Sequence, residues 1–187
     1  MVEQTLSKPK TIFLDPKSIL KRLKIQAGQR VVDLGCGGGY FVIEAAREVG
    51  DNGLVYGVDV LPTVLSALHS RARLYGLFNI RTVWSNAEVH GGARAIKDGS
   101  VDFVLMIQLM SQSRKHEQIF KEASRMLKNG GKILIVDWRS DHGYRFGPPK
   151  ENCIGQELVK QLADRVYWAT EGEFEAGPYH YGLIFRK

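Results

Sequence analysis

The chain has 187 residues, 44% hydrophobic and 25% charged, with a formal net charge of +6. That length suits a single domain, residues 1–187, with a real core, and the composition is ordinary for a soluble globular protein. No apolar run approaches the roughly 20 residues of a membrane span, and residues 1–10 are too polar for a secretion signal. Cys36 and Cys153 form no metal pattern, so the expectation is a cytoplasmic protein with no metal site and no membrane partner.

Residues 1–30 hold seven Lys/Arg against Glu3 and Asp15, a net +5, so almost all the excess positive charge lies there. Such a run is usually a solvated face, although it could also attract an RNA backbone or an anionic acceptor. Asp15-Pro16 reads as an N-cap followed by proline at the first helical position. Ile19, Leu20 and Leu23 then share one face of a short helix, to about Lys24.

Residues 30–34 read as a buried strand, followed at once by a glycine-crowded bend and a helix carrying Phe41, Val42, Ala45, Ala46 and Val49 on one side. Glycine belongs where the backbone takes positive φ or a ligand touches the main chain, and the helix start offers free N–H groups. The bend is D-x-G-x-G-x-G over residues 33–39. It is not the dinucleotide G-x-G-x-x-G, because the third glycine position falls on Tyr40. An acidic residue at this strand end would repel a pyrophosphate but suits a ligand with an ammonium group.

On these residues the chain resembles the class I S-adenosylmethionine-dependent methyltransferases, in which this bend wraps the methionine end of the cofactor. The resemblance implies a Rossmann-like α/β fold: a doubly wound, seven-stranded, mostly parallel sheet with an antiparallel terminal β-hairpin. It implies S-adenosylmethionine as cofactor and S-adenosylhomocysteine as product. Asp33, Gly35, Cys36 and Gly37 are then cofactor residues, and residues 1–28 form a helical cap whose Phe13 and Leu14, with Tyr40, could serve the acceptor pocket or simply pack.

Residues 54–59 read as the second strand, ending on Asp59. A carboxylate there can accept both hydroxyls of a ribose, with Val60 beside it, or it can cap the next helix. Residues 62–75 carry apolar residues at helical spacing, and Gly76 ends that helix. A short third strand, 80–84, leads to Asn86-Ala87. The family usually has an acidic residue before a small one here, reading the adenine amino group. An asparagine amide can do this too, or it can serve as a turn residue.

Residues 89–97 read as a loop and a short helical piece, and 100–107 as the fourth strand with Asp102 structural. The resemblance places the backbone of Met106 to Gln108 at the cofactor's methionine part, and residues 108–114 beside the acceptor. His116 opens an amphipathic helix as a surface residue. The run Arg125-x-Leu127-Lys128-x-Gly130-Gly131 resembles the family signature before strand five, a helix stop and tight reversal; strand five is 133–138. Residues 139–153 form a long polar-aromatic loop, either an acceptor-side lid or a plain connector. A helix around Leu158, Leu162 and Val166 precedes a hairpin of strands 168–176 and 179–185. Alternation there puts Tyr179, Tyr181 and Leu183 on one face and His180 on the other.

The implied reaction is direct displacement of a sulfonium-bound methyl group, for which the protein supplies positioning and exclusion of water. A base is needed only if the acceptor must lose a proton; His142 and His180 are the candidates, and Gln108, Tyr144 and Tyr179 the acceptor-side candidates. A small-molecule acceptor is favoured, because the chain is little more than a catalytic domain. The alternatives are an RNA or protein methyltransferase using the basic segment, a non-catalytic cofactor-binding module, and, more weakly, a nicotinamide dehydrogenase. No Asn/Asp-Pro-Pro-Tyr/Phe motif follows strand four, which counts against base-amino methylation. Oligomeric state and acceptor identity are not legible.

Overall fold

Helices on both faces bury a single seven-stranded sheet in the computed structural model, which describes residues 14–141 and 147–187. In chain order the elements are α1 (Pro16–Leu20), β1 (Arg30–Leu34), α2 (Tyr40–Val49), β2 (Leu54–Asp59), α3 (Pro62–Leu74), β3 (Ile80–Trp84), β4 (Val101–Ile107), α4 (His116–Met126), β5 (Leu127–Trp138), α5 (Gln156–Asp164), β6 (Ala169–Glu175) and β7 (His180–Arg186). The sheet order is β3-β2-β1-β4-β5-β7-β6. The first five strands are parallel, and β7 runs antiparallel to both of its neighbours. The order reverses direction between β1 and β4, and open α/β sheets bind ligands beyond the strand ends at such a point.

Strand alternation divides the core in two. Val32, Val104, Ile133, Ile135, Leu183 and Phe185 pack under Ile119 and Phe120 of α4 and Val159 of α5. Val31, Val55, Leu105, Leu134 and Val136 pack on the other face under Leu20 of α1, Val42 and Ala46 of α2, and Leu68 of α3. Tyr181 is in the core, as the alternation implies. No helix among the described residues is long and apolar enough to cross a membrane.

One local expectation is refined and two change. The first helix lasts five residues, tightens into a 3-10 turn at Lys21–Leu23, and stops where Lys24 takes a left-handed conformation at φ 55°. Its cap is as read, with Asp15 Oδ1 accepting from the Lys17 amide at 3.2 Å. Residues 89–97 hold turns and no helix. The reason lies in α4: buried Glu122 accepts from the amides of Gly91 (2.6 Å) and Ala93 (3.2 Å), and Arg125 donates to the carbonyls of Ala93 and Ile96. These bonds satisfy backbone groups that a helix would otherwise have paired internally. Finally, β5 begins at Leu127, and the glycine reversal is an irregularity in its register with β4.

Candidate active site

The bend after β1 is pinned from outside and inside. The amides of Gly35 and Cys36 both donate to the Val58 carbonyl, at 2.8 and 2.9 Å, which ties the bend to β2. Gly35 and Gly39 both stand at φ 72°; a Cβ on Gly39 would lie 2.5 Å from the Leu68 side chain, and one on Gly35 2.9 Å from Leu109. Only glycine meets both demands. Arg71 of α3 donates to the Gly38 carbonyl and stands over the Tyr40 ring, 4.9 Å from its centroid. Tyr40, 68% exposed, therefore braces the bend from outside.

Two carboxylates meet this bend. Asp59, at the tip of β2, accepts from the Gly37 amide through Oδ2 and from the Leu61 amide through Oδ1, both at 3.0 Å. It thus joins the bend to the start of α3, and its oxygens keep lone pairs for further donors. Asp33 is 2% exposed, and its Oδ1 has no hydrogen-bond partner among the described residues. Burial, reinforced by the neighbouring charge of Asp59, pushes the Asp33 carboxyl up to about 7. A buried carboxylate oxygen without a donor is costly and favours the arrival of a cation. The Cys36 thiol is pushed well above the ordinary thiol range, by burial first and then by Asp33 and Asp59, so it is not a nucleophile at neutral pH.

Beyond β3, Asn86 Oδ1 accepts from the Glu88 amide at 2.8 Å and its side chain also hydrogen-bonds the Glu88 carboxylate, so the turn role is filled. Ala87 is buried beside it. Sequence reasoning overlooked Trp84, the last residue of β3. It is 73% exposed, and its indole N–H donates to the Val60 carbonyl at 3.0 Å. Its position at a strand's C-terminal tip, like that of Asp59, was the available signal.

The tips of β4 and β5 form the other half. Met106 is fully buried and lies between Leu34 of β1 and Ile135 of β5, so the partly exposed tip of β4 is at Ile107 and Gln108. Gln108 has φ 53°, an uncommon conformation for a residue other than glycine. Its amide donates to the Val136 carbonyl at 2.7 Å, its carbonyl accepts from Gln112 Nε2 at 2.7 Å, and its side-chain nitrogen lies 2.7 Å from His180 Nε2. His180 is 2% exposed, and its ring lies 4.1 Å from that of Trp138. Tyr179 is half-buried, and its carbonyl accepts from the Arg139 amide at 2.9 Å. His142, Tyr144 and Phe13 lie outside the described residues.

Asp137 was also overlooked. It is fully buried at the end of β5 and accepts from the amides of Met110 (2.8 Å), Ser111 (3.3 Å) and Trp138 (2.8 Å). Burial pushes its carboxyl up, against the lowering effect of those donors. Among the described residues, no group of His, Cys, Asp or Glu could hold a metal ion.

An open sheet of this order, with its carboxylate-and-glycine bend at the reversal point and a second carboxylate at the neighbouring strand tip, defines the class I methyltransferase fold. A family model described as a methyltransferase domain matches residues 25–171, and the chain belongs to that family, the S-adenosylmethionine-dependent methyltransferases. Aklanonic acid methyltransferase from Streptomyces sp. (strain C5) is 39% identical over 149 residues, covering 77% of this chain and 64% of that protein. Demethylmenaquinone methyltransferase from Geobacillus stearothermophilus is 28% identical over 123 residues, covering 65% of this chain and 50% of that protein. The chain thus spans about half to two thirds of the length of these curated relatives. Among solved structures, a SAM-dependent methyltransferase from Aquifex aeolicus superposes with a TM-score of 0.83 at 24% identity, covering 96% of this chain and 94% of that one, a likeness of fold.

Proposed function

We propose that this chain transfers a methyl group from S-adenosylmethionine to a small-molecule acceptor by direct displacement. The observation that carries the reading is the buried, unpartnered Asp33 Oδ1 inside a bend that admits no side chain at Gly35 or Gly39. Asp33 would hold the ammonium of the methionine part, with the backbone at Gly35, Cys36 and Gly37 around it. Asp59 would take the ribose hydroxyls. Val60 and Trp84 would flank the adenine, and Asn86 and Ala87 would meet its edge. The bound cofactor supplies a methyl group already activated on a sulfonium.

The chain's own residues then position and exclude water. The backbone at Ile107 and Gln108, just beyond buried Met106, borders the reacting end. Gln108, Trp138 and Tyr179 form the described part of the acceptor side, with Tyr144 outside the described residues. His180 Nε2 lies 2.7 Å from the Gln108 side-chain nitrogen, which supports a role in holding Gln108 in place. An acceptor that must lose a proton would give it to His142 or to water.

The names of the relatives above specify small acceptors, demethylmenaquinone and aklanonic acid, which supports the small-molecule reading. Lys17, Lys21 and Lys24 are exposed while Ile19, Leu20 and Leu23 face inward, the pattern of a solvated helix face. A labelled-methyl screen over cell-extract fractions tests the reading, with label expected in small molecules. Label in RNA or protein would favour the basic-segment alternative. No label in any fraction would leave a cofactor-binding module.

A further inference from the structure

We propose that Glu88 is a positioning residue that couples the adenine side of the cleft to the acceptor side, so that filling the first steadies the second. The proposal rests on the cofactor reading of Asp59, Asn86 and Ala87 given above. Two segments leave the sheet at this edge, residues 85–92 after β3 and residues 108–115 after β4. Glu88 joins them. Its Oε1 accepts from Ser113 Oγ at 2.7 Å, and its Oε2 lies 3.3 Å from Lys115 Nζ. Ser113 Oγ in turn accepts from the Lys115 amide at 2.9 Å. The Ser113 bond is the shielded one, because Ser113 is 9% exposed. Ser113 first, and then Lys115, hold the Glu88 carboxyl below the usual carboxylate range.

The bond lies one turn away from the adenine-side residues. The backbone amide of Glu88 donates to Asn86 Oδ1, so the turn that shapes Asn86-Ala87 also places the Glu88 carboxylate. On the far side the connection continues. Arg114, between Ser113 and Lys115, donates to the Glu151 carbonyl at 3.3 Å and to Asn152 Oδ1, at the return of the long acceptor-side loop. Hydrogen bonds, joined by the peptide link between Ser113 and Arg114, therefore connect Asn86 to residues 151–152 through Glu88. A second anchor holds the 108–115 segment independently, through Asp137 and the amides of Met110 and Ser111. Removing the Glu88 carboxylate leaves that anchor in place. The 108–115 segment keeps its fold but loses its tie to the adenine turn.

Hydrogen exchange read by mass spectrometry, with S-adenosylhomocysteine as the probe, tests the coupling on the full chain. In the wild type the ligand should slow exchange together at residues 33–40, 85–92, 108–115 and 150–153. In Glu88→Ala, protection at 33–40 should persist, while the ligand-induced slowing at 110–115 and 150–153 should be lost and the dissociation constant should rise about fivefold, the low end of ordinary coupling between sites. Ser113→Ala should reproduce the exchange pattern. Glu88→Gln keeps an oxygen for the Ser113 hydroxyl and should restore most of the protection, a rescue that a loss of fold would not show. Equal ligand-induced protection of 110–115 in Glu88→Ala and wild type would overturn the coupling alone. Absence of any ligand effect in the wild type would instead overturn the cofactor reading on which it rests.

Discussion

Asp33 gives the cofactor site a pH dependence that can be worked out in advance. Its carboxyl stands at about 7 in the ligand-free protein, because burial and the Asp59 charge both disfavour ionisation. A ligand ammonium placed against it favours the carboxylate, so binding must expel a proton wherever Asp33 was protonated beforehand. If binding returns the carboxyl to its ordinary range, S-adenosylhomocysteine should release about 0.9 proton at pH 6 and about 0.1 at pH 8, and should bind about tenfold more tightly at pH 8 than at pH 6. Calorimetry in two buffers of different ionisation heat measures both quantities. Asp33→Asn should abolish the proton release and the slope, and should weaken binding at pH 8 by about 10- to 100-fold, as expected for loss of a charged hydrogen bond. The same carboxyl binds its proton more tightly folded than unfolded. Ligand-free stability should therefore fall as the pH rises from about 4 to about 7, by an amount on the order of 4 kcal/mol at most, and Asp33→Asn should remove that loss. Equal affinity at pH 6 and pH 8, with no proton exchanged, would refute the placement of the ammonium at Asp33.

Asp59→Ala removes the partner of the Gly37 and Leu61 amides as well as the proposed ribose acceptor, so S-adenosylhomocysteine affinity should fall at least tenfold in a titration. Gly39→Ala places a methyl group against Leu68 at a left-handed backbone position; thermal melting should show a loss of about 1–3 kcal/mol. Glu122→Ala leaves Arg125 without its buried partner and frees the Gly91 and Ala93 amides, so urea unfolding should report about 3–5 kcal/mol of destabilisation.

Most of the sheet could be read from the chain because its signals are local. Apolar runs at 30–34, 54–59 and 133–138, punctuated by glycine, mark buried strands whatever surrounds them, and the spacing from Asp33 to Gly39 locates the ligand bend. What escaped reading depends on distant partners. Turns replace the helical piece at 89–97 because Glu122, some 30 positions away, takes the amides of Gly91 and Ala93. Gln108 and His180, 72 positions apart, meet only because β7 inserts antiparallel beside β5, opposite Trp138. That pairing sets a candidate base against the side chain of its neighbour. Asp137 and Trp84 are different: Trp84 ends β3 and Asp137 is next to last in β5, at the same edge as Asp59, and the position alone could have singled them out.

Titration of ligand-free protein with S-adenosylhomocysteine, set beside a nicotinamide dinucleotide, tests the central claim most directly. The account predicts one saturable site for the methylthio nucleoside, weakened in Asp59→Ala, and no heat from the dinucleotide. Saturable binding of the dinucleotide, with none of the nucleoside, would contradict it.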